Sequence, residues 1–254
     1  MINVTTINSV RFWNGNKSAY RQQFELDVLN LLLSVTAESH SDVTIINDRT
    51  DLPLAKDEGA VLDNGSDVLV TVKGNAKFAG KRFIELGLSV TKQLLGQRIL
   101  FARDDKLNEF SSVKAIKNKS VGVPETWVDA ELFRRNGFTV VERGSFDGLF
   151  KRLTEGEFDF VCFGANEALE VFESRVANQY PVSLVGGVMI EYPFPLVFYV
   201  NADNPELAKR LQLGCEIVLE TGDYEALYQR YFSDIESTLK IEQRERLELN
   251  NPFI

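Results

Sequence analysis

The apolar residues of this chain follow two patterns that alternate along the sequence, a helical spacing and short apolar runs typical of strands. A spacing of three or four residues over 18–37 predicts an amphipathic helix whose apolar face holds Phe24, Val28, Leu31, Leu32 and Val35. Short apolar runs predict strands at residues 3–10, 43–47, 66–72 and 87–93. Residues 51–62 predict a further helix, with Pro53 in its first turn.

Predicted strands and helices alternate most closely over residues 120–176, where the connections between them are short. SVGV, FTVVE and FDFVCF predict three strands, and the segments after them predict helices, the first capped by Thr126 and the second by Ser145. LVFYVN at 196–201 predicts another strand. Asn204 and Pro205 then begin a helix that runs to about Glu220. Two shorter helices fill 223–246, and LELNNPFI reads as a tail.

Alternating strands and helices predict an α/β protein with mostly parallel sheets flanked by helices. The alternation falls into two units, roughly residues 1–100 and 105–190, and a third block returns after residue 195.

Charge and composition narrow the classes of function. The net charge of −9 disfavours nucleic acid and anionic membranes, since both attract basic surfaces. The sequence has no run approaching the ~20 apolar residues of a membrane span, and no signal-peptide pattern at its start. Two interpretations stay open: a cytoplasmic protein, or a secreted one whose signal peptide has been removed. Cys162 and Cys215 lie on predicted core faces and are expected to be free thiols.

The sequence lacks the motifs of several common enzyme classes. It contains neither of the glycine-rich phosphate loops, GxGxxG after the first strand or GxxxxGK[ST], and no GxSxG, CxxC or HExxH. His40 is the only histidine, so a histidine metal site or a Ser-His-Asp triad lacks material. We therefore expect no catalytic residues, no metal and no cofactor.

Several segments, taken in order, resemble one known family. These are QLLGQRILFARDD, the long stretch VGVPETWVDAELFRRNGFTVVERGSFDGLFKRLTEGEFDF, IEYPFPLVFYVNADNPELAKRL, GDYEALYQRYF and the closing LELNNPF. Together they are similar to the bacterial extracellular solute-binding proteins of family 3, which have the type II periplasmic-binding-protein fold. Within that family they resemble a poorly characterised transporter substrate-binding branch.

The resemblance implies a two-lobed clamshell with two hinge crossings, near residues 99–104 and 190–196. Lobe 1 is expected to hold residues 1–100 and 195–254, and lobe 2, inserted, residues 101–194. The implied function is capture of a small polar molecule, amino-acid-like or amine-bearing, in an interlobe cleft for a transporter in the periplasm. The implied partners are the ligand and the membrane subunits of a transporter or a sensor protein, and the chain is expected to be a monomer with its signal peptide removed.

Two other functions stay open on the same fold. One is a ligand-sensing domain that signals to a membrane partner. The other is a dehydratase-like enzyme, which would need an acid/base pair that the sequence does not single out.

The resemblance also implies the ligand-binding positions, which are the loops after the strands. Our candidates are Trp13, Tyr20, Lys73, Asn75, Lys77, Arg98, Trp127, Asn166 and Glu167. For Trp13 the alternative is a lobe-surface tryptophan. For Tyr20 and Trp127 it is packing on a core, for Glu167 a first-turn charge favoured by the helix dipole, and for Arg98 a structural role bonding backbone carbonyls.

The chain departs from the family pattern at charged positions. Lys73 and Lys77 stand where amino-acid binders place a carboxylate-clamping arginine, and Phe163 and Glu191 replace two further arginines. A lysine offers a point charge rather than a two-pronged fork. We therefore expect a ligand that is cationic, zwitterionic or neutral and polar, rather than a dianion.

Overall fold

The computed structural model describes residues 8–254, and these form two compact units. The first unit holds the described residues up to Val90 together with Leu196–Ser233. The second holds Thr91–Pro195 and Asp234–Ile254. The chain thus passes between units at three points, near Val90, Pro195 and Ser233, where the sequence predicted two crossings.

The first unit is a mixed five-stranded sheet with helices packed on it. Its strands are β1 Ser9–Trp13, β2 Thr44–Asp48, β3 Val68–Val72, β4 Phe83–Glu85 and β11 Leu196–Asn201, in the order β2-β1-β3-β11-β4. Its α-helices are α1 Ala19–Ser34, α6 Pro205–Thr221 and α7 Asp223–Phe232. Strands β1, β2 and β3 are parallel, and the returning strand β11 runs antiparallel to β3 and β4.

The second unit is built on a seven-stranded mixed sheet. Its strands are β5 Gln97–Arg103, β6 Ser120–Val123, β7 Thr139–Glu142, β8 Phe160–Gly164, β9 Val182–Leu184, β10 Val188–Glu191 and β12 Glu245–Glu248. Its α-helices are α2 Val113–Ile116, α3 Asp129–Arg135, α4 Leu149–Thr154, α5 Ala165–Val171 and α8 Ile235–Leu239. Strand β5 is central and pairs antiparallel with β8, β9 and β10.

The pairing of β5 corrects the domain boundaries expected from the sequence. Residues 91–100 were assigned to lobe 1, and a hinge was expected near 99–104. In the structure Arg98 to Ala102 pair with Gly164 to Phe160 of β8, which fixes this segment inside the second unit. Residues 234–254 also belong to the second unit, where strand β12, which overlaps the first two residues of the predicted tail, pairs with β10.

Several local predictions are wrong for identifiable reasons. Residues 51–62 hold only a 3-10 helix, Ala55–Ala60, and 87–93 form irregular chain and a turn rather than a strand. Thr126 does not cap helix α3, because it lies in the left-handed region with a φ of 67° and the helix begins at Asp129. The strand predicted at 3–10 is described only from residue 8 onward, and β1 extends to Trp13.

The core of each unit is made of the apolar faces that the periodicity indicated. In α1, Phe24, Val28 and Leu32 are fully buried. In β8, the run Phe160–Gly164 is buried along its whole length, as expected for a strand covered on both faces. Both cysteines are free thiols and buried.

Candidate functional site

Strand β1 delivers Trp13 to the core of the first unit. Only 3% of Trp13 is exposed, and it packs in a cluster with Leu69, Phe78 and Tyr199 among others. Its indole Nε1 donates to the carbonyl oxygen of Thr50 at 3.2 Å. Core residues therefore cover the ring, and the ligand-stacking role stays a prediction.

The loop after β1 holds a buried ionic network that the sequence analysis missed. Lys17 Nζ lies 2.6 Å from Glu25 Oε2, and Arg21 Nε lies 2.6 Å from Glu25 Oε1. The Glu25 side chain is fully buried, and Lys17 also lies over the rings of Phe12 and Trp13. Burial lowers the pKa of Lys17, and the Glu25 carboxylate opposes that change. The only sequence signal was Glu25 beside Phe24 on the apolar face of α1.

Tyr20 lies at the start of α1 and is partly exposed, at 38%. Its hydroxyl donates to the backbone carbonyl of Tyr231, and its ring packs edge-on against Tyr231 and Phe232. In this structure it therefore ties α1 to α7 within the first unit.

The loop after β3 brings Asn75 and Lys77 together on one carboxylate. Lys77 Nζ donates to Glu58 Oε2 at 2.8 Å, and Thr71 Oγ1 donates to Glu58 Oε1 at 2.8 Å. Asn75 Nδ2 donates to Thr71 Oγ1 at 2.9 Å and reaches Glu58 Oε1 at 3.5 Å. Sequence reasoning did not find Glu58, since it read the segment as an ordinary helix.

Lys73 stands apart from this group and is more exposed. Its Nζ lies 2.7 Å from Glu85 Oε1, with 43% of the Lys73 side chain exposed. Lys73 and Lys77 therefore both already have a carboxylate partner inside the first unit.

Arg98 is fully enclosed in the second unit. Its Nη2 donates to Asp129 Oδ2 at 2.5 Å and to the Cys162 carbonyl at 3.2 Å, and its Nη1 donates to the Leu95 carbonyl at 3.0 Å. Burial on its own would lower the pKa of Arg98, but the Asp129 carboxylate holds it well above its ordinary value. The carbonyl bonds match the structural alternative that the sequence left open.

Trp127 lies in the turn before α3 and is half-buried. Its ring stacks on Phe146 with centroids 5.9 Å apart and meets Phe163 edge-on at 6.1 Å. A small cavity of about 10 Å³ lies between Trp127, Asp129 and Phe163. One water is the most that such a space holds.

Asn166 and Glu167 begin helix α5 directly after β8. Asn166 is buried, and its Oδ1 has no hydrogen-bond partner among the described residues. The Glu167 carboxylate accepts from the Gly164 amide at 3.4 Å and contributes to raising the pKa of Arg98. The register of β5 and β8 places Arg98 opposite Gly164, which brings these three candidate residues to one end of the sheet.

Phe163 and Glu191, which the resemblance compares with arginines, occupy different settings. Phe163 is 2% exposed and packs in the aromatic cluster around Phe101 and Phe150. Glu191 accepts from Gln97 Nε2 and Arg246 Nη1, each at 3.4 Å. Phe163 thus carries no charge at its position, while Glu191 is partly neutralised.

Burial also raises the pKa of two side chains close to Arg98. The pKa of Cys162 rises to about 11, and that of Tyr192 rises well above its ordinary value. Both groups are therefore protonated at neutral pH. Within residues 8–254, no group of His, Cys, Asp and Glu is arranged to hold a metal ion. None of the helices in the described part of the chain combines the length and the apolar character of a membrane span.

Comparison with solved structures shows the fold directly. An arginine third transport system periplasmic binding protein from Legionella pneumophila is 15% identical with a TM-score of 0.61, over 90% of this chain and all of that one. A histidine kinase sensor domain with similarity to periplasmic binding proteins is 14% identical with a TM-score of 0.63, over 89% of this chain and 96% of that one.

A third similar structure is the GluR0 ligand-binding core from Nostoc punctiforme in complex with L-glutamate. It is 15% identical with a TM-score of 0.57, over 89% of this chain and 99% of that one. No protein-family model matches the chain, and no curated protein matches it. Two mixed sheets flanked by helices, together with these likenesses, show that the chain has the two-lobed α/β fold of the type II periplasmic binding proteins.

Proposed function

We propose that this protein is an extracytoplasmic solute-binding protein that captures a small polar molecule, amino-acid-like or amine-bearing, and delivers it to a transporter. The observation that carries the proposal is the likeness to a periplasmic binding protein of an arginine transport system over 90% of this chain and the whole of that one. Because one fold hosts many functions, the ligand class has to be argued from the side chains.

The internal pairing of cations supports a ligand that is not a dianion. Lys17, Lys73 and Lys77 lie in the loops after β1 and β3, and each has a carboxylate partner within 2.8 Å. A bound carboxylate would have to compete with these internal partners. A cationic, zwitterionic or neutral polar ligand makes less demand on the lysines, in keeping with Phe163 and Glu191 at positions where family members carry arginine.

The experiment is native mass spectrometry of the purified protein, followed by a thermal-shift panel of amino acids, polyamines, dicarboxylates and sugars. A ligand that binds only the folded state stabilises it by ~2.7 kcal/mol at a hundredfold excess over its dissociation constant. We expect the largest shift from an amine-bearing compound, and a reduced shift in Glu167→Gln. If dicarboxylates gave the largest shift and Glu167→Gln changed none, the charge argument would be wrong.

The likeness to a histidine kinase sensor domain supports a second candidate, a ligand-sensing domain that signals to a membrane partner. Deleting the gene separates the two roles. A transport role predicts that uptake of the ligand is lost, whereas a sensing role predicts intact uptake and loss of a ligand-dependent change in gene expression. Catalysis on the ligand is not part of either proposal.

Location and assembly complete the proposal. Fractionation of the native cells should place the protein outside the cytoplasm, and recovery in the cytoplasmic fraction would contradict a transport role. Size-exclusion chromatography with light scattering should give a monomer with and without ligand.

A further inference from the structure

Glu58 has the surroundings of a bound ligand rather than those of a surface charge. Its two carboxylate oxygens accept from an ammonium and a hydroxyl, Lys77 Nζ and Thr71 Oγ1, each at 2.8 Å. The side-chain amide nitrogen of Asn75, Nδ2, lies 3.5 Å from Glu58 Oε1, the oxygen that also accepts from Thr71. A cation and neutral donors converging on both oxygens is the arrangement that recognises a free carboxylate.

The fold holds Glu58 at this position. Its neighbour Gly59 lies against the loop after β3, and a Cβ added there would stand 2.1 Å from the Lys77 carbonyl oxygen. The 3-10 helix Ala55–Ala60 can approach this loop so closely only because residue 59 is glycine. The path of the backbone therefore places the Glu58 carboxylate among the donors Lys77, Thr71 and Asn75.

The two neutral donors, Thr71 and Asn75, are held in place without Glu58. Thr71 is 3% exposed and Asn75 is 5% exposed, and Asn75 Oδ1 accepts from the Lys77 amide at 3.1 Å. The hydroxyl of Tyr199 accepts from the Gly74 amide at 3.1 Å and secures the loop between them. Removing the Glu58 side chain would thus leave an ammonium and two oriented neutral groups facing an empty space.

Lys73 and Glu85 provide the contrast within the same unit. That pair joins one ammonium to one carboxylate at 2.7 Å, and 43% of the Lys73 side chain is exposed. The network of Lys17 and Glu25 is a second contrast, since the side chains of both partners are almost completely buried.

We propose that Lys77, Thr71 and Asn75 form a carboxylate-binding site that the chain's own Glu58 occupies, and that Glu58 thereby keeps a ligand carboxylate out of this site and so contributes to specificity. The consequence for ligand choice rests on the proposed function, but the site itself does not. Shortening residue 58 should open the site to small external carboxylates.

The test uses Glu58→Ala in the full chain, with formate and acetate as probes and chloride at equal ionic strength as the reference. We expect acetate to raise the thermal midpoint of Glu58→Ala saturably, and calorimetry to give binding at least tenfold tighter than to the wild type. Glu58→Gln should show no such response, because its amide still fills the space. Glu85→Ala is the matched control and should respond equally to acetate and chloride.

Each result decides the matter. If Glu58→Ala is partly unfolded, acetate should restore folding, because a ligand of the folded state shifts the equilibrium by mass action. Adding Lys77→Met should abolish the effect. No acetate-specific response in Glu58→Ala, or an equal response to chloride, would overturn the inference. Since acetate reports on the site directly, a failed ligand panel with a positive acetate result would reject the proposed function alone.

Discussion

The buried pair of Arg98 and Asp129 offers the sharpest test of how the second unit is stabilised. Arg98 is 2% exposed and Asp129 is 5% exposed, with 2.5 Å between Nη2 and Oδ2. The pair joins the start of β5 to the first residue of α3. The perturbation is Asp129→Ala, which leaves the guanidinium buried without its counter-charge.

The expected cost follows from the burial. Removing one partner of a buried ion pair destabilises a protein by ~3–5 kcal/mol, because the remaining charge is uncompensated. In this variant Arg98 keeps its hydrogen bonds to the Leu95 and Cys162 carbonyls. These neutral groups accept hydrogen bonds from the guanidinium but do not neutralise its charge. We therefore expect the lower end of that range, about 3 kcal/mol of the free energy of unfolding.

The assay is urea denaturation followed by a probe of the second unit, such as Trp127 fluorescence in a background where Trp13 of the first unit is replaced by Phe. Glu155→Ala is the control, since the pair of Lys151 and Glu155 is exposed and 3.7 Å apart. Exposed pairs contribute ~0–1 kcal/mol, so the control should unfold close to the wild type.

A variant that lacks both charges separates the attraction from the cost of burial. Arg98→Met combined with Asp129→Leu removes both charges, and this variant should be more stable than Asp129→Ala, because apolar replacement of a buried pair is often neutral or stabilising. A loss below about 1 kcal/mol in Asp129→Ala would refute the reasoning, since Arg98 would then be solvated well enough without a counter-charge.

Three further changes have defined outcomes. Burial raises the pKa of Cys162 from 9.0 to about 11, so the stability that its neutral thiol confers is complete below pH 9 and is lost as the pH rises toward 11. Urea titrations from pH 8 to 11 should therefore show the free energy of unfolding fall by ~2–3 kcal/mol at most. The fall should be shallower in Cys162→Ala. Gly96→Ala would place a Cβ 2.0 Å from a backbone carbonyl oxygen and should cost ~1–3 kcal/mol or more in thermal unfolding, whereas Gly186→Ala, with nothing within 4 Å, should be harmless. Deleting residues 250–254 removes two hydrogen bonds to Asn136, of 2.8 and 3.0 Å, and should lower stability by ~1–3 kcal/mol; Asn136→Ala in the full chain should reproduce most of that loss.

The sequence predicted those elements whose burial follows a regular period. Helix α1, strands β3 and β8, and helix α6 with its Asn204 cap all form close to the expected residues. Each carries its own signal, an apolar face or run bounded by a cap or a glycine. The alternation of these elements predicted an α/β protein, and the two-lobed arrangement was implied by the resemblance to the solute-binding family.

The elements that failed depend on partners distant in the chain. Strand β12 has one buried residue, Leu247, and forms because its backbone pairs with the edge of strand β10. The segment 87–93 has strand-like alternation, but its apolar side chains Leu88 and Val90 are buried within irregular chain and a turn. No local pattern reports such pairings, so the boundary at residue 100 and the assignment of the last residues could not be predicted.

The candidate residues show a similar division. The resemblance, with the rule that loops after parallel strands carry function, pointed to Asn75, Lys77, Asn166 and Glu167, and their role in binding stays a prediction. The rule could not show that Glu58 already holds Lys77 or that Asp129 holds Arg98. These partners lie 19 and 31 residues away, and only the folded backbone brings them together.

Arg98 and Lys77 also differ in what they leave open to a ligand. Arg98 directs its guanidinium to one carboxylate and two backbone carbonyls, and backbone carbonyls cannot be displaced without breaking the sheet. Lys77 has a single side-chain partner among the carboxylates, and a side chain can be exchanged for a ligand group of the same chemistry. A change of ligand class is therefore more accessible at Glu58, where one substitution removes the competitor, than at Asp129, where the same kind of substitution leaves a charge stranded in the core.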